Sequence, residues 1–225
     1  LRKKEKHLDI NFLSLTPYSK ENLDTALFEK PEIKNTFFDQ LTKENKTIFT
    51  IAETEKYAHV TYFFNGGKEI KRANETRVLI PSIKTKTYID NPQMSAKEIT
   101  DAVLDSLENK HCDFYLINYA NPDMVGHSGD LPATAKAIEF LDKQLKKLYD
   151  EIVVKLDGTM YVTADHGNAE QMFDTKEEQK HTQHTTNPVA FIMIQKNLKN
   201  KKSDLPLKTL ADIAPFILKN IKNLK

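Results

Sequence analysis

Four of the seven histidines, His127, His166, His181 and His184, fall in one stretch of the chain that also holds Asp123 and Asp165. Carboxylate oxygens and imidazole nitrogens, with no thiolate among them, suit Mn²⁺, Zn²⁺, Fe²⁺ or, with more oxygen and water, Mg²⁺. Asp165 and His166 are adjacent. Neighbouring side chains of an extended segment diverge, so such a pair can serve two ions or opposite sides of one cavity. Two metals about 3.5–4 Å apart are a recurring device of phosphate chemistry, clamping the attacking and leaving oxygens of an in-line displacement. Each residue also has an ordinary reading: Asp123 after Pro122 as an Asx turn, His127 as a histidine bonded to backbone. The grouping favours a metal site over these separate readings.

Such residues need elements that bring them together. From Lys46 onward, short β-type runs alternate with helical patterns, which predicts a sheet covered by helices. Thr47–Ile51 and Tyr57–Phe64 read as strands, with Asn65-Gly66-Gly67 as a hairpin turn after the second. Ser95-Ala96-Lys97-Glu98 has the form of a capping box, opening a helix that carries Ile99, Ala102, Val103 and Leu107 on one face. Phe114–Ile117 reads as a strand, and Asn121-Pro122-Asp123 after it as loop. Ala135, Ile138, Leu141, Leu145, Leu148 and Ile152 mark a long amphipathic helix. Strands Met160–Thr163 and Val189–Ile194 and a helix over Leu207–Leu218 complete an α/β pattern. Asp123 and Asp165-His166 then follow strands, where loops of an α/β sheet converge on one crevice. Ile10–Leu15 reads as a strand in an otherwise loop-like opening, with a boundary near residues 28–36.

Composition narrows the classes. The 33 Lys+Arg against 32 Asp+Glu argue against a nucleic-acid partner. A single cysteine, Cys112, reads as a small buried hydrophobe, excludes an internal disulfide framework and fits a reducing, cytoplasmic compartment. The six glycines form neither GxGxxG nor a P-loop. No apolar run approaches the roughly 18–20 residues of a bilayer span, so no membrane partner is expected. His7, His59 and His111 have no carboxylate–histidine pattern, and Lys56 on composition is a surface lysine.

Four stretches carry a resemblance: Ala52-Glu53-Thr54-Glu55-Lys56-Tyr57-Ala58-His59-Val60-Thr61, Asn118-Tyr119-Ala120-Asn121-Pro122-Asp123-Met124-Val125-Gly126-His127, Thr163-Ala164-Asp165-His166-Gly167-Asn168-Ala169-Glu170 and His184-Thr185-Thr186-Asn187-Pro188-Val189. With Leu210-Ala211-Asp212-Ile213-Ala214-Pro215 closing the chain, they resemble the cofactor-independent phosphoglycerate mutases of the alkaline-phosphatase superfamily. The resemblance implies interconversion of 2-phosphoglycerate and 3-phosphoglycerate in glycolysis, through a phosphoserine intermediate. It implies two divalent ions, Mn²⁺ foremost, with Mg²⁺, Co²⁺ or Zn²⁺ as alternatives, and an intact protein that is monomeric. Asp123, His127 and His184 match the ligands of one ion, Asp165 and His166 ligands of the other, and Lys56 the substrate-phosphate lysine. His181 matches no ligand position.

In that family the second metal also takes an aspartate and the nucleophilic serine from the N-terminal part of the phosphatase domain. We therefore expect an incomplete alkaline-phosphatase-like domain over residues 31–225, preceded over 1–30 by the tail of the transferase domain, and no mutase activity from these 225 residues alone. The opening on Leu1 fits that expectation. Other readings are a phosphopentomutase or phosphodiesterase of the same superfamily, or a non-catalytic metal-binding remnant.

Overall fold

The computed structural model describes residues 13–17, 25–29, 31–198 and 205–223. The chain divides into two compact units, Leu1–Lys34 and Asn35–Lys225. In the first, β1 (Leu13–Ser14) and β2 (Thr25–Ala26) pair in parallel. The strand expected over Ile10–Leu15 is thus two residues long among the described residues; positions 10–12 and His7 lie outside them.

The second unit opens with α1 (Phe37–Lys43), where Thr36 and Asp39 cap each other's backbone N–H groups. β3 (Ile48–Glu53) follows, buried along its whole length as the middle strand of a parallel sheet. Its neighbours are β4 (Glu75–Ile80) and β5 (Phe114–Asn118), in the registers Ile48↔Glu75 and Ile48↔Phe114. Alternation along β3 sends Phe49 and Ile51 to one face and Ile48 to the other. Phe49 and Ile51 pack with Ile99, Val103 and Leu107 of α3 (Ala96–Asn109) and Leu148 of α5 (Leu131–Tyr149). Ile48 packs with Phe37, Phe38 and Leu41 of α1 and with Ile217 of α6 (Ile213–Asn223). The domain is α/β, a parallel sheet flanked by helices.

Several sequence expectations are corrected. Tyr57–Phe64 is not a strand: Thr54–Lys56 is a 3₁₀ turn, α2 (Tyr57–Val60) continues it, and backbone bonds such as Phe63 N to Ala58 O wind the chain on to Gly67. Tyr57, Val60 and Phe64 stand at the three- and four-residue spacing of a helix face, which strand alternation does not give. Gly66 and Gly67, at φ 67° and 77°, end this helical segment rather than a hairpin, and β4 beyond them runs parallel to β3. At the start of α3, the Ser95 hydroxyl donates to the Pro81 carbonyl at 2.9 Å instead of capping the helix, so no capping box forms. Asn121-Pro122-Asp123 is the first turn of α4 (Asn121–Gly126), where a proline costs no helical hydrogen bond. β6 (Met160–Thr163) pairs antiparallel with β9 (Phe191–Ile194), which begins two residues later than expected, and β7 (Phe173–Asp174) and β8 (Gln179–Lys180) form a short ladder between them. The last helix is entered through a 3₁₀ turn at Leu210–Asp212. Among the described residues no helix is long and apolar enough to cross a membrane.

Glu53 closes β3 fully enclosed, one oxygen accepting from the Ser82 hydroxyl at 2.9 Å and the other without a partner. Enclosure pushes its pKa above the ordinary 4.5, with Glu55 adding to the rise and the Ser82 bond opposing it. The folded chain therefore holds this proton more tightly than the unfolded one. Stability from the neutral acid is present below the unfolded value and is lost as pH rises through the folded value. Glu53→Gln, neutral throughout, is expected to raise Tm at pH 8 by roughly 2–4 °C, as about 1 kcal/mol does at this length, with the difference vanishing near pH 4. Equal melting shifts at both pH values would refute this.

Candidate metal centre

Parallel pairing places the carboxyl ends of β3 and β5 side by side. β3 runs into the turn bearing Lys56, and β5 into α4, which carries Asp123 and ends just before His127. β6 runs into Asp165-His166. His184 lies on the loop between β8 and β9, joined to the β6 loop where Thr185 N donates to Gly167 O at 2.8 Å.

Three donor atoms converge. Asp123 Oδ1 lies 3.1 Å from His127 Nε2 and 3.1 Å from His184 Nε2, and the two nitrogens are 3.1 Å apart. The Nδ1 of His127 faces the Thr182 carbonyl at 2.7 Å. A carbonyl only accepts, so Nδ1 carries the hydrogen and Nε2 presents a lone pair to the centre, the outer-sphere arrangement usual for a metal-bound histidine. Tetrahedral donors bonded at about 2.0–2.1 Å stand about 3.3 Å apart, so this triangle fits one ion with a further position open. Its donor set, one carboxylate and two imidazoles, is chemically suited to a divalent metal.

Asp123 is the best supported of the three. Its side chain is 14% exposed, its Oδ2 is ion-paired with Lys56, and Asn168 Nδ2 donates to Oδ1 at 2.7 Å. Burial alone would raise its pKa, but the Lys56 bond, the Asn168 bond and the Lys56 charge bring it down to about 2. Asn168 in turn sits against Gly126, where an added Cβ would stand 2.6 Å from its Oδ1. His166 stacks on His184 with ring centroids 3.6 Å apart. Ligand atoms of Asp123, His166 and His184 all lie within 4.8 Å of one another. Asp165 stands outside that group, its side chain 57% exposed and its Oδ1 3.6 Å from His166 Nε2.

Asn168 and Thr182 escape a search for metal-ligand types because an amide side chain and a backbone carbonyl bond Asp123 and His127 from outside, and Glu170, though a carboxylate, bonds only their neighbours. Glu170 accepts from Asn187 Nδ2 at 3.0 Å, from Thr185 Oγ1, and from the Asn168 N–H at 2.6 Å. These donors overcome the rise from burial and hold its carboxyl at about 2. His59, read as ordinary, sits one helical turn past Lys56 and feels Asp165, Asp123 and His166; burial first, then Lys56, lowers its pKa. Its signal was the three-residue spacing from Lys56, invisible while the segment was read as a strand. His181 is bonded through its backbone N–H to Met172 O at 3.0 Å, and its Nδ1 is buried without a partner.

The chain matches the Metalloenzyme superfamily over residues 5–224. It is 47% identical over 223 residues to the 2,3-bisphosphoglycerate-independent phosphoglycerate mutase of Francisella philomiragia, covering 98% of this chain and 42% of that protein. It is 47% identical over 217 residues to the enzyme of the same name from Clostridium kluyveri, covering 96% of this chain and 42% of that one. The crystal structure of Leishmania mexicana phosphoglycerate mutase at low cobalt concentration superposes with a TM-score of 0.81 at 28% identity, over 97% of this chain and 44% of that one. The chain spans less than half the length of these relatives.

Proposed function

Because the chain belongs to the Metalloenzyme superfamily, we propose that it carries the C-terminal, metal-binding portion of a phosphoglycerate mutase interconverting 2-phosphoglycerate and 3-phosphoglycerate. The supporting observation is the 3.1 Å triangle of Asp123, His127 and His184 beside Lys56, within a chain nearly half identical to two named mutases. In this reading those three residues hold one ion, and Asp165 and His166 contribute to a second; both are Mn²⁺, with Mg²⁺, Co²⁺ or Zn²⁺ as substitutes. Residues 1–30 are the tail of a transferase domain and 31–225 belong to the phosphatase domain.

Bound divalent ions supply Lewis-acid polarisation of phosphoryl oxygens. The protein's own groups do the rest. Lys56, 9% exposed, offers a fixed ammonium to the charge of a transferring phosphoryl group. Thr182 holds the His127 tautomer, and Asn168 fixes the rotation of the Asp123 carboxylate. The hydroxyl that accepts the phosphoryl group is a serine outside these 225 residues.

The test is a chimera in which this chain replaces the matching segment of the Francisella philomiragia relative. Mn²⁺-dependent conversion of 3-phosphoglycerate, followed by ³¹P NMR, is expected from the chimera and not from the 225-residue chain alone. A folded, metal-loaded chimera that turns over phosphopentoses or phosphodiesters and leaves 3-phosphoglycerate untouched would replace this reading with a sister activity.

A further inference from the structure

We propose that Glu170 is a positioning residue of the metal centre, a carboxylate strap that holds the His184 loop against the His166 loop. The inference rests on the metal-centre reading above and extends it to a residue outside the proposed ligand set.

Both oxygens of Glu170 are used, and between them they bind both loops. Oε1 accepts from Thr185 Oγ1 and from Asn187 Nδ2 on the His184 side, while Oε2 accepts from the Asn168 N–H on the His166 side. The backbone closes at the same place through Thr185 N and Gly167 O. Gly167 is where a Cβ would run into the Thr185 hydroxyl and the Glu170 carboxylate, so the approach of the two loops requires glycine there.

The residues flanking this junction are His166 and His184, stacked at 3.6 Å. Apart from the Thr185 bridge, residues 181–190 form no strand or helix. A ladder therefore does not set where the His184 ring stands against Asp123; the single backbone bridge at Thr185 and the side-chain bonds to the loop do so. Groups that orient metal ligands from outside typically change metal affinity 10–100-fold when removed. Glu170 fits that class: it is spent on three donors that lie within two residues of the Asp-His pair or three of His184.

The experiment titrates the 225-residue chain with Co²⁺, whose visible absorption reports coordination geometry. Glu170→Ala is expected to weaken Co²⁺ binding about 10–100-fold and to shift the absorption bands of the bound ion, which a purely global loss of stability would not do. Thr185→Val leaves Glu170 in place and should weaken binding in the same direction by less. The double variant should be no weaker than Glu170→Ala alone. Wild-type affinity and bands in both single variants, or losses that add in full, overturn the proposal. Failure of the unsubstituted chain to bind Co²⁺ would instead sink the metal-centre reading. The strap is then decided without metal, by whether the Thr185 amide exchanges faster in Glu170→Ala, and unchanged exchange overturns it.

Discussion

Asp123→Ala is expected to remove most divalent-metal binding from this chain, weakening the first Mn²⁺ site at least 100-fold in a calorimetric titration, about 2.7 kcal/mol. Asp123 supplies the one carboxylate of the donor triangle, and two imidazoles alone leave an ion without charge compensation. The same carboxylate anchors Lys56 and Asn168, so its removal also frees a mostly buried ammonium beside the vacated ligand position. The repulsion that follows acts against the ion as well. Asp165→Ala is the control: Asp165 lies outside the group formed by Asp123, His166 and His184, and its loss should leave the first binding event near its original strength. Acidification should act in the same direction as Asp123→Ala, since a proton bound at the Nε2 of either histidine takes the lone pair an ion needs. Unchanged Mn²⁺ binding in Asp123→Ala would remove this site from consideration.

Phe38→Ala carries the largest expected cost in stability, about 3–5 kcal/mol. Phe38 is fully buried on the face of the sheet opposite α3 and α5, with ring centroids of Phe64 and Phe114 at 4.7 and 6.5 Å and the Arg72 guanidinium 5.7 Å from its own. Arg72 is held by Asp39 and Asn65, so the cavity left by the ring cannot close by moving that side chain alone. Urea unfolding should show a lower midpoint with an unchanged slope. A loss under 1 kcal/mol would mean that α1 is not part of the cooperative core.

Phe38 also marks where sequence reading stopped. Residues 36–45 lie between a loop-like opening and the first evident strand, and seven residues of helix offer too few turns for a clear apolar stripe. β4 was missed for another reason: Glu75 and Arg77 look like surface charges. In the fold the Glu75 carboxylate is enclosed, accepting from the Arg77 guanidinium at 2.6 Å and the Arg72 N–H at 3.1 Å. Pairing is what makes their burial tolerable, and pairing partners are not visible residue by residue. α3 and α5 were readable because their apolar periodicity runs over several helical turns, and β5 and β6 because short apolar runs there end at turn-forming residues.

The candidate donor types were legible because they are local chemistry: Asp, His and Gly at short spacings after β-type runs mark residues whose side chains could bind a metal. The α/β class was legible for the same kind of reason, since alternation of short apolar runs with helical periods is a property of the chain itself. Which donors meet was left to the tertiary structure. Asp123 and His184, 61 positions apart, touch, while Asp165, beside His166 in sequence, stays outside the group. Lys56, a surface lysine by composition, lies buried against Asp123 because the 3₁₀ turn at the carboxyl end of β3 carries it beside the start of α4. Residue type carries donor chemistry, whereas convergence depends on parallel strand register and on loop bonds such as Thr185 to Gly167, which join segments that share no local pattern.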